Sequence, residues 1–401
     1  MTRIISVPDG FDRDIRLLTS SMFTRRIVMG FLQVVKAIYY ALLGFSAVEI
    51  GLLLSIATMI SAIHHITFGY LCDRYGRKPF LVIGTMFATL RMVIFAVSTD
   101  FWMLALGEGV GAMGEGAGAG QPVVSGYITD KTEATQRPGI YSAMAITNGL
   151  AASVGSALGG LPVYLQELYG LGVVEDHQLL WWACALGSAL SILFMLHISE
   201  PRRHAREVGG EGKRGKIKNW GVILRFSLVR STSGLGMGMT QSLLTLYIFY
   251  KFGVGSDALG PIFSLSRLLS TFSYLLIPRL VGRFGGINTM IWSRLSSAAL
   301  TIAFALTNTY TVAVALLVLN RIMNQFTMPI RQTFASGMVE PEETATAIGV
   351  SNSARMGVRS LAPMLAGYMF DTISLSMPFF AGATLMALNG CLYWVFFRER
   401  G

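Results

Sequence analysis

The sequence predicts an all-helical integral membrane protein, and three observations lead to that prediction. Hydrophobic residues make up 53% of the 401 residues and charged residues only 13%, whereas about 25% of the residues of a soluble protein are charged. The apolar residues are grouped into runs of nearly bilayer length, which is about 20 residues for a helix. Between these runs, Lys and Arg concentrate in alternate loops, as expected of a chain that crosses a membrane many times.

The hydropathy pattern predicts twelve membrane-spanning helices, so that both termini lie on one side of the membrane. The predicted spans are residues 20–43, 50–71, 79–98, 101–127, 138–164, 178–198, 222–250, 258–279, 286–307, 310–334, 344–370 and 373–397. If the termini are cytoplasmic, 22 of the 32 Lys and Arg residues lie on the cytoplasmic side, nine lie inside spans and only Lys251 lies outside. This bias predicts the orientation and places the protein in the inner or plasma membrane.

The net charge of +10 does not indicate nucleic-acid binding, because the excess lies in the cytoplasmic loops. The longest of them, 199–220, is a basic, glycine-containing linker. It separates a predicted N-terminal six-helix domain at 1–198 from a C-terminal one at 221–401. Within it, the glycine pattern that ends at Lys216 imitates a phosphate-binding loop, but Ile217 stands where such a loop needs Ser or Thr. No ATP site is therefore expected.

Two pairs of short motifs indicate that the halves are related. Gly76 and Gly285 occupy equivalent places in two Arg-aromatic-Gly sequences, 209 residues apart. The segment Gly155–Gly160 matches Ala362–Gly367 at an offset of 207 residues. Two independent pairs at nearly one offset favour a duplicated architecture, which is common in secondary transporters.

A charged, glycine-containing motif connects the second and third spans. Residues 69–78 read G-x-x-x-D-R-x-G-R-K, with the motif positions filled by Gly69, Asp73, Arg74, Gly76, Arg77 and Lys78. This pattern resembles the loop 2–3 signature of the major facilitator superfamily. The resemblance implies twelve transmembrane helices in two pseudo-symmetric six-helix bundles. It further implies that the protein moves a small solute by alternating access, and we expect the protein to be a monomer.

The resemblance also implies a gating role for this motif. Asp73 is expected to latch onto the start of the eleventh span, near Glu343, where a helix N-terminus favours negative charge. Arg74, Arg77 and Lys78 would anchor the loop to membrane lipid or to neighbouring acids. The alternative is that the motif only retains the loop on the cytoplasmic side.

Two acidic residues lie inside the predicted spans, and both are on the fourth. Glu108 and Glu115 are seven residues apart, so they share a helix face at a separation of about 10 Å. Ionisable residues inside a membrane are costly and commonly functional, which makes both candidates for proton coupling. The alternative is a buried ion pair that only holds helices together.

Polar and basic residues on other spans are candidates for a solute cavity. The resemblance implies that the first, fourth, seventh and tenth helices face this cavity. The candidates are Gln33, Lys36, Arg91, Gln241, Arg321, Asn324 and Gln325. Lys36 or Arg91 lies at a depth that would allow a pair with Glu108. Nine basic residues against two acids favour an anionic solute, unless several of the arginines extend to lipid head groups.

Two departures from the exchanger pattern of the family leave the direction of coupling open. Many of its drug–proton exchangers carry an arginine on the fourth helix, where this chain has Glu108. The exchange motif G-P-x-x-G-G of the fifth helix appears as Gly155–Gly160, with Ser156 in place of the proline. Antiport and symport therefore both remain open.

The leading functional prediction is a secondary active, proton-coupled transporter that exports small amphipathic compounds. The alternatives are an organic-anion symporter, exchanger or facilitator and, third, a membrane sensor or scaffold that does not transport. The expected partners are a small solute, protons and membrane lipid. No enzyme is predicted, because the chain has no Ser-His-Asp grouping and no H-E-x-x-H motif. The three cysteines have no metal-site spacing, and no metal or cofactor is expected.

Overall fold

The computed structural model describes residues 11–114, 120–133, 135–200, 220–273, 277–337 and 341–397. Within these ranges the chain forms α-helices, one 3₁₀ turn and no strand. The helices are α1 (Arg13–Leu42), α2 (Ala47–Tyr75), α3 (Lys78–Val97), α4 (Phe101–Gly114), α5 (Gly120–Lys131), α6 (Arg137–Ala157), α7 (Leu161–Tyr169), α8 (Val173–Leu196), α9 (Trp220–Gln241), α10 (Leu244–Phe252), α11 (Ser256–Ser273), α12 (Ile277–Phe284), α13 (Gly286–Leu306), α14 (Tyr310–Gly337), α15 (Pro341–Thr372) and α16 (Met377–Phe397).

Each predicted span corresponds to one helix or to two consecutive helices. Helices α1, α2 and α3 match the first three spans, and the fifth span consists of α6, the 3₁₀ turn Leu158–Gly160 and α7. The fourth span contains α4 and α5, and residues 115–119 between them lie outside the described part of the chain. The all-helical prediction is confirmed for the described residues.

Six apolar segments of the described helices are long enough to cross a membrane. They are Ala47–His64, Lys78–Val97, Gly139–Tyr169, Val173–Leu196, Gly286–Leu306 and Met377–Phe397. Their lengths, from 18 to 31 residues, bracket the roughly 20 residues that a bilayer requires. Other helices, such as α14, combine an apolar part with a strongly polar one.

Proline and glycine account for several helix boundaries. Proline falls in the first turn of α3, α6 and α7, where its missing N–H removes no helical hydrogen bond. Gly170 and Gly253 end α7 and α10 with φ of 64° in both cases. This left-handed conformation strains other residues and is the usual way in which a helix stops.

Two compact units can be distinguished in the structure. The first consists of Met1–Lys36, Ile60–Glu211 and Ser256–Ser264, and the second of Ala37–Met59, Gly212–Gly255 and Leu265–Gly401. Each unit therefore includes a short helical segment from the other half of the sequence. The division into sequence halves at the linker 199–220 stays a prediction.

The first unit is held together by close helix packing around α1, α3 and α6. A Cβ on Gly155 would lie 1.9 Å from the carbonyl oxygen of Ile27, and one on Gly30 would lie 2.2 Å from that of Ala152. Larger side chains would force α1 and α6 apart, so these glycines set the distance between the two helices. The fully buried Trp181 packs edge-on against Phe31 and Phe95, both with ring centroids at 5.7 Å.

The second unit repeats this design with α9 and α15. A Cβ on Gly234 would lie 2.6 Å from the carbonyl oxygen of Arg355, and one on Gly238 would lie 2.5 Å from the Cβ of Ala362. Asn389 of α16 is fully buried and donates a hydrogen bond to the carbonyl oxygen of Val229 at 2.5 Å. Small residues thus bring the backbones of α9 and α15 together.

Candidate transport site and gating loop

An ion pair between α1 and α4 is the central feature of the first unit. The Nζ atom of Lys36 lies 2.6 Å from Oε1 of Glu108, and the Glu108 side chain is completely buried. The side chain of Lys36 keeps 16% of its surface exposed. The Lys36–Glu108 pairing is one of the two that the sequence left open. It joins a buried carboxylate to an ammonium group that can still reach water.

Arg91 of α3 is buried beside this pair, with 1% of its surface exposed. Its guanidinium donates to the sulfur of Met29 at 3.5 Å, and its side chain lies flat on α4 at Gly111. A Cβ on Gly111 would be 2.1 Å from Cδ of Arg91. The glycine-rich surface of α4 therefore makes room for a buried arginine.

The second acid of the fourth span, Glu115, lies outside the described residues. The structure therefore brings only Glu108, of the two predicted proton-coupling acids, into a described contact.

Two exposed glutamines occupy matching places in the sequence halves. Gln33 of α1 and Gln241, the last residue of α9, are both exposed. They are 208 residues apart, between the two offsets of 207 and 209 found for the paired motifs. This equivalence was not part of the reasoning from sequence that selected them, and it adds an independent reason to treat them as a matched pair.

A polar network fills the contact between α13 and α14 in the second unit. Arg294, 1% exposed, donates to Oδ1 of Asn324 at 2.8 Å. Asn324 donates in turn to the hydroxyl of Ser297 at 2.8 Å and to Oδ1 of Asn320 at 2.9 Å. Asn324, a cavity candidate, is thus bonded to the neighbouring helix. The network fixes the rotation of α14 about its axis.

The same rotation directs Arg321 toward α11. Its guanidinium donates to the hydroxyl of Ser266 at 3.2 Å, and Ser266 is fully buried. Because Arg321 and Asn324 are three residues apart on one helix, the partners of Asn324 on α13 constrain where Arg321 points. The side chain of the third candidate on this helix, Gln325, lies outside the described part of the structure.

The predicted gating loop is bound by two acids, one in α5 and one that follows α8. Arg77 pairs through Nε with Oδ2 of Asp130 at 2.5 Å. Glu200, which follows α8, accepts hydrogen bonds from the backbone N–H of Arg77 at 2.8 Å and of Lys78 at 2.9 Å. Glu200 therefore satisfies two of the free N–H groups at the start of α3 and places negative charge at its positive end.

The reasoning from sequence did not select Glu200 as a functional residue. The available signal was its position, because it is an acid at the very start of the basic linker, directly after the sixth span. The other members of the motif are placed as follows. Arg74 lies over the ring of Tyr75 at 5.5 Å, and Gly76 has φ of 99°. Gly69 and the side chain of Asp73 lie outside what the structure describes, so the expected latch is not tested.

A second polar cluster joins the start of α1 to the end of α5 and to Ser199. The carboxylate of Asp14 pairs with the ammonium group of Lys131 and accepts a hydrogen bond from the hydroxyl of Ser199. Burial by itself raises the pKa of Asp14, but the hydrogen bonds from Lys131 and Ser199 outweigh it and leave the pKa below its usual value. Asp14 is therefore ionised at neutral pH.

Comparisons with known proteins agree with this architecture. A model of the Major Facilitator Superfamily matches residues 18–361 and 226–401. Multidrug resistance protein 1 of Bacillus subtilis is 24% identical over 381 residues, which cover 93% of both chains. Quinolone resistance protein NorA of Staphylococcus aureus is 21% identical over 375 residues, which cover 90% of both chains.

The fold is also that of a solved transporter. The crystal structure of a mutant of the nucleoside transporter NupG matches this chain with a TM-score of 0.77 at 15% identity, and the match covers 96% of this chain and 100% of that one. At this identity the likeness shows the fold alone. Together with the family match, it confirms the predicted fold class. The chain belongs to the Major Facilitator Superfamily and is a multi-pass membrane transporter rather than an enzyme.

Proposed function

We propose that this protein is a secondary active transporter that exports small amphipathic compounds in exchange for protons. The observation that carries the proposal is the Lys36–Glu108 ion pair, a fully buried carboxylate held 2.6 Å from a partly exposed ammonium group. Similarity over about nine-tenths of the chain to proteins named for multidrug and quinolone resistance supports export of this solute class.

The chemistry of the pair suits proton coupling. A buried carboxylate and ammonium group stabilise each other, and neutralising one leaves the other as an unbalanced charge in low dielectric. Proton binding to Glu108 would release Lys36 toward water, and proton loss would draw it back. The two protonation states of Glu108 would thereby favour different arrangements of α1 and α4, and a ligand that distinguishes such states shifts their balance.

The remaining parts of the proposal follow the sequence predictions. Gln33, Arg91, Gln241 and Arg321 contribute polar groups to the solute pathway, and Gln325 and Glu115 are further candidates. Two six-helix bundles, 1–198 and 221–401, rock about this pathway. The protein acts as a monomer in the inner or plasma membrane, with both termini in the cytoplasm. Asp73 and the rest of its loop control the cytoplasmic gate.

The test is solute-driven proton movement in sealed proteoliposomes that contain a pH-sensitive dye. A library of cationic and neutral amphipathic compounds should change the internal pH with the wild-type protein, and Glu108→Gln should abolish the change. Glu175→Gln is the matched control, since Glu175 is an exposed glutamate in the first turn of α8 that accepts a hydrogen bond from the N–H of Gly172, the residue before that helix. Proton-coupled flux that survives Glu108→Gln would disprove the coupling role.

Organic-anion transport is the second candidate, favoured by the excess of basic over acidic residues in the predicted spans. Within the second unit, Arg294 donates to the amide oxygen of Asn324 and Arg321 to the hydroxyl of Ser266. An anionic solute would be favoured by such charges. Exchange of a radiolabelled carboxylate that depends on Arg321, without a pH change, would support this candidate and contradict the first.

A further inference from the structure

The first turn of α2 lacks internal partners for its backbone N–H groups, as every helix does. The N–H of Ser46 donates to Oε2 of Glu49 at 2.8 Å, and the N–H of Glu49 donates to the hydroxyl of Ser46 at 3.3 Å. This reciprocal arrangement is a capping box. It leaves the N–H groups of Ala47 and Val48 to find acceptors elsewhere.

Both of these groups donate to a single carboxylate on another helix. Asp371, in the last turn of α15, accepts from the N–H of Val48 at 2.9 Å through Oδ2 and from that of Ala47 at 3.3 Å through Oδ1. The start of α2 is therefore completed only when the end of α15 is beside it. The negative charge of Asp371 also lies at the positive end of α2, where such a charge is stabilising.

The two helices pack closely below this cap. A Cβ on Gly367 would lie 2.1 Å from the carbonyl oxygen of Ala47, and one on Gly51 would lie 2.4 Å from that of Pro363. The N–H of Met364 donates to the hydroxyl of Ser55 at 3.0 Å. Residues 37–59 and α15 belong to the same compact unit, although they come from different halves of the sequence. We call this contact, from Asp371 to Ser55, the α2–α15 seam.

We propose that Asp371 is a gating residue, whose carboxylate holds the α2–α15 seam closed. This inference rests on the proposed alternating access, which requires helices from the two sequence halves to separate at one end of the protein in part of the cycle. Asp371 is exposed, so water can replace it and the cap can break and form again. Opening of the seam removes the acceptor of two N–H groups and the charge that favours the helix end.

The cap is strong enough to shift the open-closed equilibrium of the seam without locking it. A single charge at an exposed helix terminus changes an equilibrium constant by about two- to fivefold, and an open state that is the minor state changes its population by the same factor. Asp371→Asn should therefore raise the open fraction of the seam about two- to fivefold, while the protein stays folded.

The first measurement is hydrogen–deuterium exchange of the full-length protein in lipid nanodiscs. Asp371→Asn should speed exchange in residues 46–50 about two- to fivefold. Asp100→Asn is the matched control, because Asp100 caps its own helix by accepting from the N–H of Trp102 at 2.9 Å and of Met103 at 3.1 Å. It should speed exchange at the start of α4 and leave residues 46–50 unchanged.

The second measurement reports opening of the seam itself. In a variant whose three cysteines are replaced by serine, Ser55→Cys places a thiol at a position that is 8% exposed. A membrane-impermeant maleimide should label it about two- to fivefold faster when Asp371→Asn is added, and not when Asp100→Asn is added. Asp371→Glu, which keeps the charge, should give an intermediate rate.

Two results would overturn the proposal. Unchanged exchange in residues 46–50 would mean that Asp371 does not cap α2. Faster exchange without faster labelling of Ser55→Cys would mean that Asp371 only completes a helix and does not hold the seam. Neither readout needs solute or a proton gradient, so a failure here is distinguishable from a failure of the Glu108→Gln flux test.

Discussion

The turn between α2 and α3 and the turn between α12 and α13 are two versions of one local structure. In the first, Arg74 lies over the ring of Tyr75, and in the second Arg283 lies over the ring of Phe284, both at 5.5 Å. Each pair is followed by a glycine with positive φ, 99° at Gly76 and 79° at Gly285. The backbone shape of the two turns is therefore the same.

The surroundings of the two turns are different. A Cβ on Gly76 would lie 3.0 Å from Oε1 of Glu200, whereas a Cβ on Gly285 would meet nothing within 4 Å. The first turn is held by Glu200 and Asp130, which come from other parts of the first unit. Backbone shape thus depends on a glycine in the sequence, while the charge interactions of the turn depend on what tertiary structure brings to it.

Replacing each glycine by alanine should give the largest difference between the turns. Both variants strain a backbone conformation that alanine disfavours, at about 1–3 kcal/mol each. Gly76→Ala should cost about 1 kcal/mol more, because the new Cβ displaces Glu200 from its two N–H donors. Thermal unfolding in detergent, followed by tryptophan fluorescence, should give a lower Tm for Gly76→Ala than for Gly285→Ala. Equal Tm values would contradict this reading.

Removing Glu200 should erase that difference. Glu200→Ala alone should destabilise the protein by about 1–2 kcal/mol, as expected for loss of a helix cap. In the Glu200→Ala background, Gly76→Ala and Gly285→Ala should lower Tm by the same amount. The reason is that substitutions at residues in contact do not have additive effects on stability. If Gly76→Ala still lowers Tm more than Gly285→Ala in this background, Glu200 is not the cause of the asymmetry.

Asp14, Lys131 and Ser199 form a cluster next to Glu200. This cluster should make the stability of the protein sensitive to acid. The pKa of Asp14 in the folded protein lies below its usual value of 3.8. Its stabilising contribution is therefore complete well above pH 3.8 and is lost as the pH falls through the lower, folded-state pKa. The Tm of the wild type should exceed that of Asp14→Asn by a constant amount above about pH 5 and converge with it below about pH 4. A difference that grows with falling pH would contradict the direction of the pKa shift.

The partly exposed Arg77–Asp130 ion pair of the first turn should contribute least to the stability of the protein. Arg77 and Asp130 keep 19% and 32% of their side-chain surfaces exposed, and pairs of this kind contribute about 0–1 kcal/mol. Arg77→Lys should lower Tm slightly at low salt, and the effect should fade in 0.5 M salt, roughly where screening is strong. Arg283→Lys is the matched control in the second turn and should show no salt-dependent change. A large decrease in the Tm of Arg77→Lys at high salt would mean that Arg77 has a role other than this ion pair.

Much of the architecture could be predicted because hydropathy and charge are properties of the sequence itself. The twelve predicted spans, the motif at residues 69–78 and the paired glycines all follow from local patterns, and the helices and family match agree with them. The 3₁₀ turn at Leu158–Gly160, which divides the fifth span, was not predicted. It lies where Gly159 and Gly160 approach α11, with a Cβ on Gly159 only 3.4 Å from Cα of Gly260, and such a contact leaves no local signal.

The candidate site could be predicted only as a set of residues. Intramembrane charge singled out Glu108, with Lys36 and Arg91 as candidate partners, but only the tertiary structure shows that Lys36 lies 2.6 Å from it. Periodicity grouped Arg321 with Asn324 on one face of α14, yet their partners lie on different helices, α11 and α13. A rotation of a few tens of degrees decides such contacts, and depth from sequence is good to only about one turn.

The sequence by itself determined that this protein is a helical membrane transporter and where backbone turns require glycine, and its basic loops predict the orientation of the chain. These follow from hydrophobic burial and steric limits, which act locally. Tertiary structure alone decided that Glu200 caps α3, that Asp371 caps α2 and that Lys36 neutralises Glu108. In each of these contacts, a charged group and its partner are 72 to 324 residues apart in the chain. Only the packing of helices brings such groups within hydrogen-bonding distance.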